Sequence, residues 1–406
     1  MLTGIAEENQ PEARRSMPNS EPCDKWRFLF KDFMNNGYAT FFSEDSPSTG
    51  TFTFRLKGFS VPPTDHYGRP GWLEGDSFTR GYCVETQATH RLQLKYLHSM
   101  LHAYKNPKFT FTLFSGLTHD NENTLGYADD DLTKFLQELK QEGFTENSMI
   151  VIFGDHGFRF AGIRKTLQGK LEERLPQMAI SLPSWFPEKF PQLFDSLRNN
   201  SNLLTTPFDM YATMKHILSY PKKPDGVVVG QSLFTPITAS KRACSNNGVE
   251  DHWCPCLSWQ DLSVGDSIVK DVVNYVIKYM NDAISANSVA SKLCSRLSLK
   301  EISLAQQQLP SEKLQTFLES KRDHRCDSCG VVIGSPAENT LKQDTVYQVQ
   351  FTTSPNNGVY ESSVKLNKGK PSLTGDISRL DRYGRQPDCI ATTYVHLVKY
   401  CLCIQQ

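Results

Sequence analysis

Five consecutive apolar residues, Met149 to Phe153, followed at once by Gly154-Asp155-His156-Gly157, constrain this chain more than any other stretch. A run that is apolar on both faces of a strand needs cover above and below, the pattern of a central parallel strand. Glycines at the end of such a strand let the backbone turn sharply, which delivers Asp155 and His156 to the carboxyl edge of the sheet. A carboxylate beside an imidazole is a mixed oxygen and nitrogen donor pair of the kind that holds Zn²⁺, Mn²⁺ or a related divalent ion. The competing reading is a turn whose polar residues are incidental.

The flanking sequence supplies the helices and strands such a sheet requires. Asp24 precedes Trp26, Leu29, Phe30 and Phe33, whose spacing predicts a helix stopped by Gly37. A strand over Tyr38 to Phe42 follows, with Glu44 and Asp45 expected where it meets solvent. Residues 46–82 read as a long loop and Val84 to Tyr104 as a helix. Alternation from Lys108 to Phe114 predicts a strand that exits through Thr118-His119-Asp120. Asp129, Asp130 and Asp131 then charge the start of a helix with Leu132, Phe135, Leu136 and Leu139 on one face. That helix leads into Met149–Phe153, completing a strand–helix–strand unit. Beyond it lie an expected loop over Phe158 to Arg174, a strand over Gln177 to Leu182 and a helix over Pro187 to Arg198. A further helix starts at Thr205-Thr206-Pro207, with a hydroxyl cap and a proline at the first position.

After Thr238 the composition changes. Nine of the eleven cysteines fall in this part: Cys244, Cys254, Cys256, Cys294, Cys326, Cys329, Cys389, Cys401 and Cys403. Such clustering reads as a disulfide-stapled module from an oxidising compartment. Zinc is the rival at Cys326-Asp327-Ser328-Cys329, although no second C-x-x-C or H-x-x-x-H follows that pair. A glycosylation acceptor at Asn199-Asn200-Ser201 agrees with the secretory route. Helices are expected over Val264 to Ala286, with Val269, Val272, Val273, Val276 and Tyr279 on one side, and over Leu297 to Ser320. Strands are expected over Val346 to Thr352, Val359 to Leu366 and Thr392 to Cys403, giving a helix over a small antiparallel sheet.

Charge narrows the partners. With 44 basic and 44 acidic side chains the chain has no net field to recruit nucleic acid or an anionic membrane. No apolar run approaches the roughly 18 residues of a membrane span. The amino terminus, Met1-Leu2-Thr3-Gly4-Ile5-Ala6 before Glu7 and Glu8, lacks the basic start and apolar core of a signal peptide.

The run from Gly116 to Pro183, with Thr118-His119-Asp120, Gly154-Asp155-His156-Gly157 and Glu172-Glu173-Arg174-Leu175-Pro176, resembles the sulfatase-like branch of the alkaline phosphatase superfamily. Within that branch the likeness is to an uncharacterised animal family of secreted or membrane-anchored proteins with a cysteine-rich carboxyl end. Tyr38 with Glu44-Asp45, Pro63-Thr64-Asp65 and His252-Trp253-Cys254-Pro255-Cys256 carry it as well. The resemblance implies a three-layer α/β/α sandwich with a mostly parallel sheet over residues 1–238. A cysteine-rich linker over 239–260 and a smaller α+β module over 261–406 would follow. It implies metal-assisted displacement at phosphorus or sulfur by a Thr, Ser or modified Cys. Asp155 and His156 would ligate the ion, which could be Zn, Mn or Ca. His119, Arg164 and Lys165 would contact an anionic ester, with a glycan as one carrier of it.

One part of the pattern is missing. In the superfamily the nucleophile stands a few residues before an L-T-G-like sequence, and here Leu2-Thr3-Gly4 opens the chain. The first strand, one acidic ligand and the nucleophile are therefore expected to be absent, and the chain to be inactive. A non-catalytic extracellular binder of an anionic glycan or a protein is the alternative.

Overall fold

Aromatic side chains decide the first core. The computed structural model describes residues 1–160, 162–309, 316–317, 332–333, 344–367 and 369–404. The chain folds as two units, Met1–Ile152 with Met178–Ile237, and Phe153–Gln177 with Thr238–Gln406. In the first, helix α1 (Leu29–Asn35) buries Leu29, Phe30 and Phe33, and Gly37 takes a positive φ of 80° just after it. Strand β1 (Ala39–Glu44) is buried at all six positions. The reason is its place: it pairs in parallel with β2 (His66–Tyr67) on one side and with β3 (Lys108–Leu113) on the other. Phe30 stacks on Phe42 at 5.1 Å between ring centroids and Phe33 on Phe109 at 4.0 Å, so the helix is fixed to the sheet by ring contacts. The stretch expected to be loop over 46–82 contains a short helix, Arg69–Asp76.

Helices α2 (Thr89–Ala103) and α3 (Asp129–Gln141) close a second apolar cluster around Leu94, Phe135 and Leu139. Leu97, Leu101, Phe144 and Ile150 pack on its margin. The apolar run of the opening argument forms strand β4 (Ile150–Phe153), but it is not the centre of a wide sheet. Among the described residues it pairs only with β5 (Met178–Ser181), and with one neighbour Ile152 stays 38 % exposed. Between β4 and β5 the chain leaves for the second unit, where the expected loop carries helix α4 (Leu167–Arg174). It returns to form helices α5 (Pro191–Asn200) and α6 (Pro207–Ser219). As its sequence predicts, α6 starts with Pro207 in the first turn and a capping box, with the Asp209 carboxylate accepting from the Thr206 backbone at 2.7 Å.

The second unit is an antiparallel sheet under one long helix. Its strands are β6 (Ser258–Asp261), β7 (Ser298–Leu309), β8 (Asp344–Ser354), β9 (Val359–Asn367) and β10 (Lys370–Leu373). They lie in the order β10-β9-β8-β7-β6, and Ser378–Arg379 pairs with β9. Helix α7 (Ser267–Ser285) buries Val269, Val272, Val273, Val276, Ile277, Met280 and Ile284 in one cluster with Val349, Phe351, Tyr360 and Val364. Tyr279, expected on that face, is exposed, and Met280 occupies the place. Over its described part, the segment expected to be a helix, Leu297 to Ser320, is instead a separate short strand at Thr316–Phe317 preceded by β7. Bulges between Leu299 and Glu301 and between Ile302 and Leu304 shift its register, so Leu299, Ile302 and Ala305 recur every third residue and imitate a helical stripe. Thr392 to Cys403 is not a strand either: it runs through turns and a 3₁₀ turn at Val395–Leu397, and only Cys403 bridges, to Cys294.

Disulfides join Cys244 to Cys254, Cys294 to Cys401 and Cys389 to Cys403. Cys256 is a buried free thiol, as is Cys23, while Cys83 is a half-buried one. Cys326 and Cys329 lie outside the described residues. Among the described residues no helix is long and apolar enough to cross a membrane. The Cys294–Cys401 bridge spans 107 residues and Cys244–Cys254 only 10. Loop-closure entropy makes the longer bridge the larger stabiliser. Replacing Cys294 and Cys401 by Ser should lower unfolding stability by about 3–5 kcal/mol. Urea titration against the corresponding Cys244/Cys254 double variant, expected to lose less, checks this.

Candidate functional site

Parallel strands leave polar side chains at their carboxyl ends, and β1 ends in two acids. The sequence placed Glu44 and Asp45 against solvent, whereas both are buried. Each is held by donors that the following loops supply. Glu44 Oε1 accepts from the Thr51 amide at 2.8 Å and the Thr51 hydroxyl at 2.6 Å. Asp45 Oδ1 accepts from the Ser115 and Gly116 amides at 2.7 and 3.0 Å, which ties the end of β1 to the end of β3. Asp45 Oδ2 is buried with no hydrogen-bond partner. Burial raises the pKa of both carboxyls above the ordinary carboxylate range. Three residues beyond Gly116, His119 is about half exposed, with Nδ1 3.2 Å from Asp120 Oδ1.

Asp155 and His156 sit in the turn after β4, in the second unit. Gly157 is required there, because a Cβ on it would lie 2.4 Å from the Glu172 carbonyl oxygen. Its amide donates to the Glu173 carbonyl at 3.1 Å, pinning the turn to α4. The His156 backbone amide donates to Asp155 Oδ1 at 2.9 Å. His156 Nδ1 lies 2.8 Å from the Gly157 carbonyl oxygen, so the neutral ring carries its proton on Nδ1 and leaves the Nε2 lone pair open. Nε2 is 3.6 Å from Asp155 Oδ2, and both side chains are well exposed. This oxygen and nitrogen pair fits a divalent ion on donor chemistry and tautomer. Among the described residues no third His, Cys, Asp or Glu joins it in a metal-binding group, so water would complete the coordination.

Arg164 does not face solvent. It is fully buried, with Nε paired to Glu173 and Nη2 3.0 Å from Glu361 Oε1. Arg174 Nη2 reaches the same oxygen at 2.8 Å, and Gln350 Nε2 donates to Glu361 Oε2 at 3.0 Å. Burial alone would raise the pKa of Glu361, but Lys170, Arg164 and Arg174 hold it well below the ordinary carboxylate range. Lys170 stands over the Trp259 ring at 4.7 Å, and burial lowers its pKa to about 7. His252, also buried, lies 3.0 Å from Ser363 Oγ and 3.1 Å from Ser378 Oγ. Burial, and then the neighbouring arginines and lysine, push its pKa down to about 3, so the ring is neutral at pH 7. Lys165 closes the short turn Gly162–Lys165 beside Arg164.

A family model described as "protein of unknown function (DUF229)" matches residues 1–303. The chain belongs to this family. DUF229 is a sulfatase-like family, as the motifs around His119 and Asp155 imply. No curated protein and no solved structure matches the chain.

In this DUF229 chain, Glu361 and Lys170 escaped the sequence reading, and His252 entered it only as part of a motif, with no role of its own. Glu361 and Lys170 belong to stretches that look solvated, and only the polar alternation of β9 marks Glu361 as facing something inside. Removing the Glu361 charge strands two buried guanidinium groups, so Glu361→Gln should cost about 3–5 kcal/mol in denaturation. His252 gives a pH signature. Its pKa is about 3 folded and 6.5 for an ordinary histidine, so on acidification the unfolded chain takes the proton first. Stability should therefore fall as the pH drops from 6.5 towards 3. A flatter urea-midpoint profile over that interval in His252→Asn checks the assignment.

Proposed function

We propose that the protein is a metal-dependent, sulfatase-like hydrolase or transferase of phosphate or sulfate esters, with Asp155 and His156 holding the ion. The observation that carries this is the orientation of the His156 ring: with Nδ1 turned to the Gly157 carbonyl, Nε2 and Asp155 Oδ2 form an accessible donor pair on a turn that Gly157 and Glu173 fix. Zn, Mn or Ca suits such a pair, and a bound ion would neutralise the oxygens of an anionic ester. Lys165, on the same excursion as Asp155 and His156, is the residue we assign to the ester, which a glycan would carry. Arg164 supports the turn from within the protein, since its charge is committed to Glu173 and Glu361. We read residues 1–238 as the sulfatase-like domain with a three-layer α/β/α plan. The cysteine-rich linker over 239–260 and the α+β module over 261–406 complete it. The disulfides and the exposed Asn199 agree with a secretory lumen or extracellular setting and with a glycan at that residue.

A second reading is favoured by one observation. The buried ion pairs of Arg164 remove a cation that the resemblance assigns to the anionic oxygens, and no residue stands assigned as nucleophile. A chain that binds an anionic glycan or a protein partner without turnover requires neither group. Two measurements separate the readings. Mn²⁺ should broaden the His156 ring resonances selectively, and Asp155→Ala should abolish that broadening; persistence in the variant removes the ion site. On the hydrolase reading, aryl phosphate or aryl sulfate should be turned over with Zn²⁺ or Mn²⁺, and ion binding without turnover would favour the binder. Turnover lost in Asp155→Ala would discard the binder.

A further inference from the structure

Helix α2 and the end of α3 bring together a second set of donors. His98 and His102 are one helical turn apart on α2, and Glu142 follows α3 directly. His98 Nε2 is 2.8 Å and His102 Nε2 3.2 Å from the same oxygen, Glu142 Oε2, and the two ring nitrogens are 3.3 Å apart. Three donor atoms thus close a triangle with sides near 3 Å. Ligands bonded to tetrahedral zinc at about 2.0–2.1 Å stand about 3.3 Å from one another, which is the spacing of this triangle.

Hydrogen bonding alone fills the triangle poorly. If both Nε2 atoms carry protons, the two N–H groups compete for one carboxylate oxygen and face each other across 3.3 Å. If one lacks its proton, its lone pair faces that oxygen. A cation inside the triangle satisfies all three atoms at once. The rings are also held in place: His102 meets Phe144 edge-on at 4.9 Å, and His98 meets Phe135 at 6.3 Å. The apolar cluster of Leu94, Phe135 and Leu139 lies under the same helix pair. Two other groups of three potential ligands occur among the described residues, but five of their six sulfurs are engaged in the disulfides Cys244–Cys254, Cys294–Cys401 and Cys389–Cys403, which leaves only the Cys256 thiol.

We propose that His98, His102 and Glu142 form a site for a zinc-class divalent ion, separate from Asp155 and His156. Two imidazoles and one carboxylate suit a borderline metal rather than calcium or magnesium. The side chains are about a third to a half exposed, so the ion enters from solvent and keeps at least one position for water or an outside ligand. Because Glu142 is 40 residues from His102, the ion also clips α2 to the end of α3.

The test uses the whole chain with Asp155→Ala, which removes the other proposed ion site and separates the two claims. Titration with ZnCl₂ should show one equivalent bound in the micromolar range or tighter. Adding His98→Asn with His102→Asn should weaken binding by about a hundredfold or more, and Glu142→Gln by about tenfold. At a hundredfold excess over Kd, zinc should raise Tm by about 5 °C in the Asp155→Ala protein and leave the triple variant unmoved. Cobalt in the same site should give ligand-field bands without a thiolate charge-transfer band. The proposal fails if zinc is not bound, or if the histidine replacements leave its affinity and Tm shift unchanged while the circular dichroism remains native.

Discussion

Glu361 is a carboxylate taken wholly out of water, and the second unit is arranged around satisfying it. A lone buried carboxylate would cost several kcal/mol, so it survives only with charged partners in good geometry. Arg164, Arg174 and Gln350 converge on its two oxygens, and Glu173 balances Arg164. Three of these four residues, Arg164, Arg174 and Glu173, come from the excursion Phe153–Gln177. Electrostatics therefore fastens the segment that presents Asp155 and His156. Shape and charge act together there, because the tight approach at Gly157 and the pairing of Glu173 are made by adjacent residues of α4.

Much of the first unit was legible in the sequence because its signals are local. The Leu29 to Phe33 part of the first apolar stripe, the Lys108 to Phe114 alternation and the Thr206-Pro207 cap each report a structure decided within a few residues, whereas Trp26 lies before the helix. Errors arose where distant partners intervene. Glu44 and Asp45 look solvent-bound until Thr51 and the Ser115 and Gly116 amides are placed against them. The two bulges of β7 turn a period of two into an apparent period of three. Arg164 beside Lys165 looks like a solvated basic pair, and only Glu361, 197 residues away, shows otherwise. The pair of histidines on α2 was open to discovery through its i, i+4 spacing, yet its third partner is visible only after α2 and α3 pack.

Family membership and geometry constrain different things. Membership in a sulfatase-like family covers residues 1–303 and sets the class of chemistry to ask about. Geometry then sorts the charged residues into those offered to solvent and those consumed internally. Asp155, His156 and His119 belong to the first group, while Arg164, Arg174, Glu173 and Glu361 belong to the second. A list of motif residues treats the two groups alike.

The chain passes from the first unit to the second at Phe153 and back at Gln177, before crossing finally at Thr238. Neither unit is thus a continuous piece of sequence. A fragment starting at Thr238 would keep the strand bearing Glu361 and lose both arginines that neutralise it. During synthesis, the excursion emerges long before β9 exists, so its buried charges must wait in water for nearly two hundred residues of chain. The second unit can be finished only after β9 has emerged.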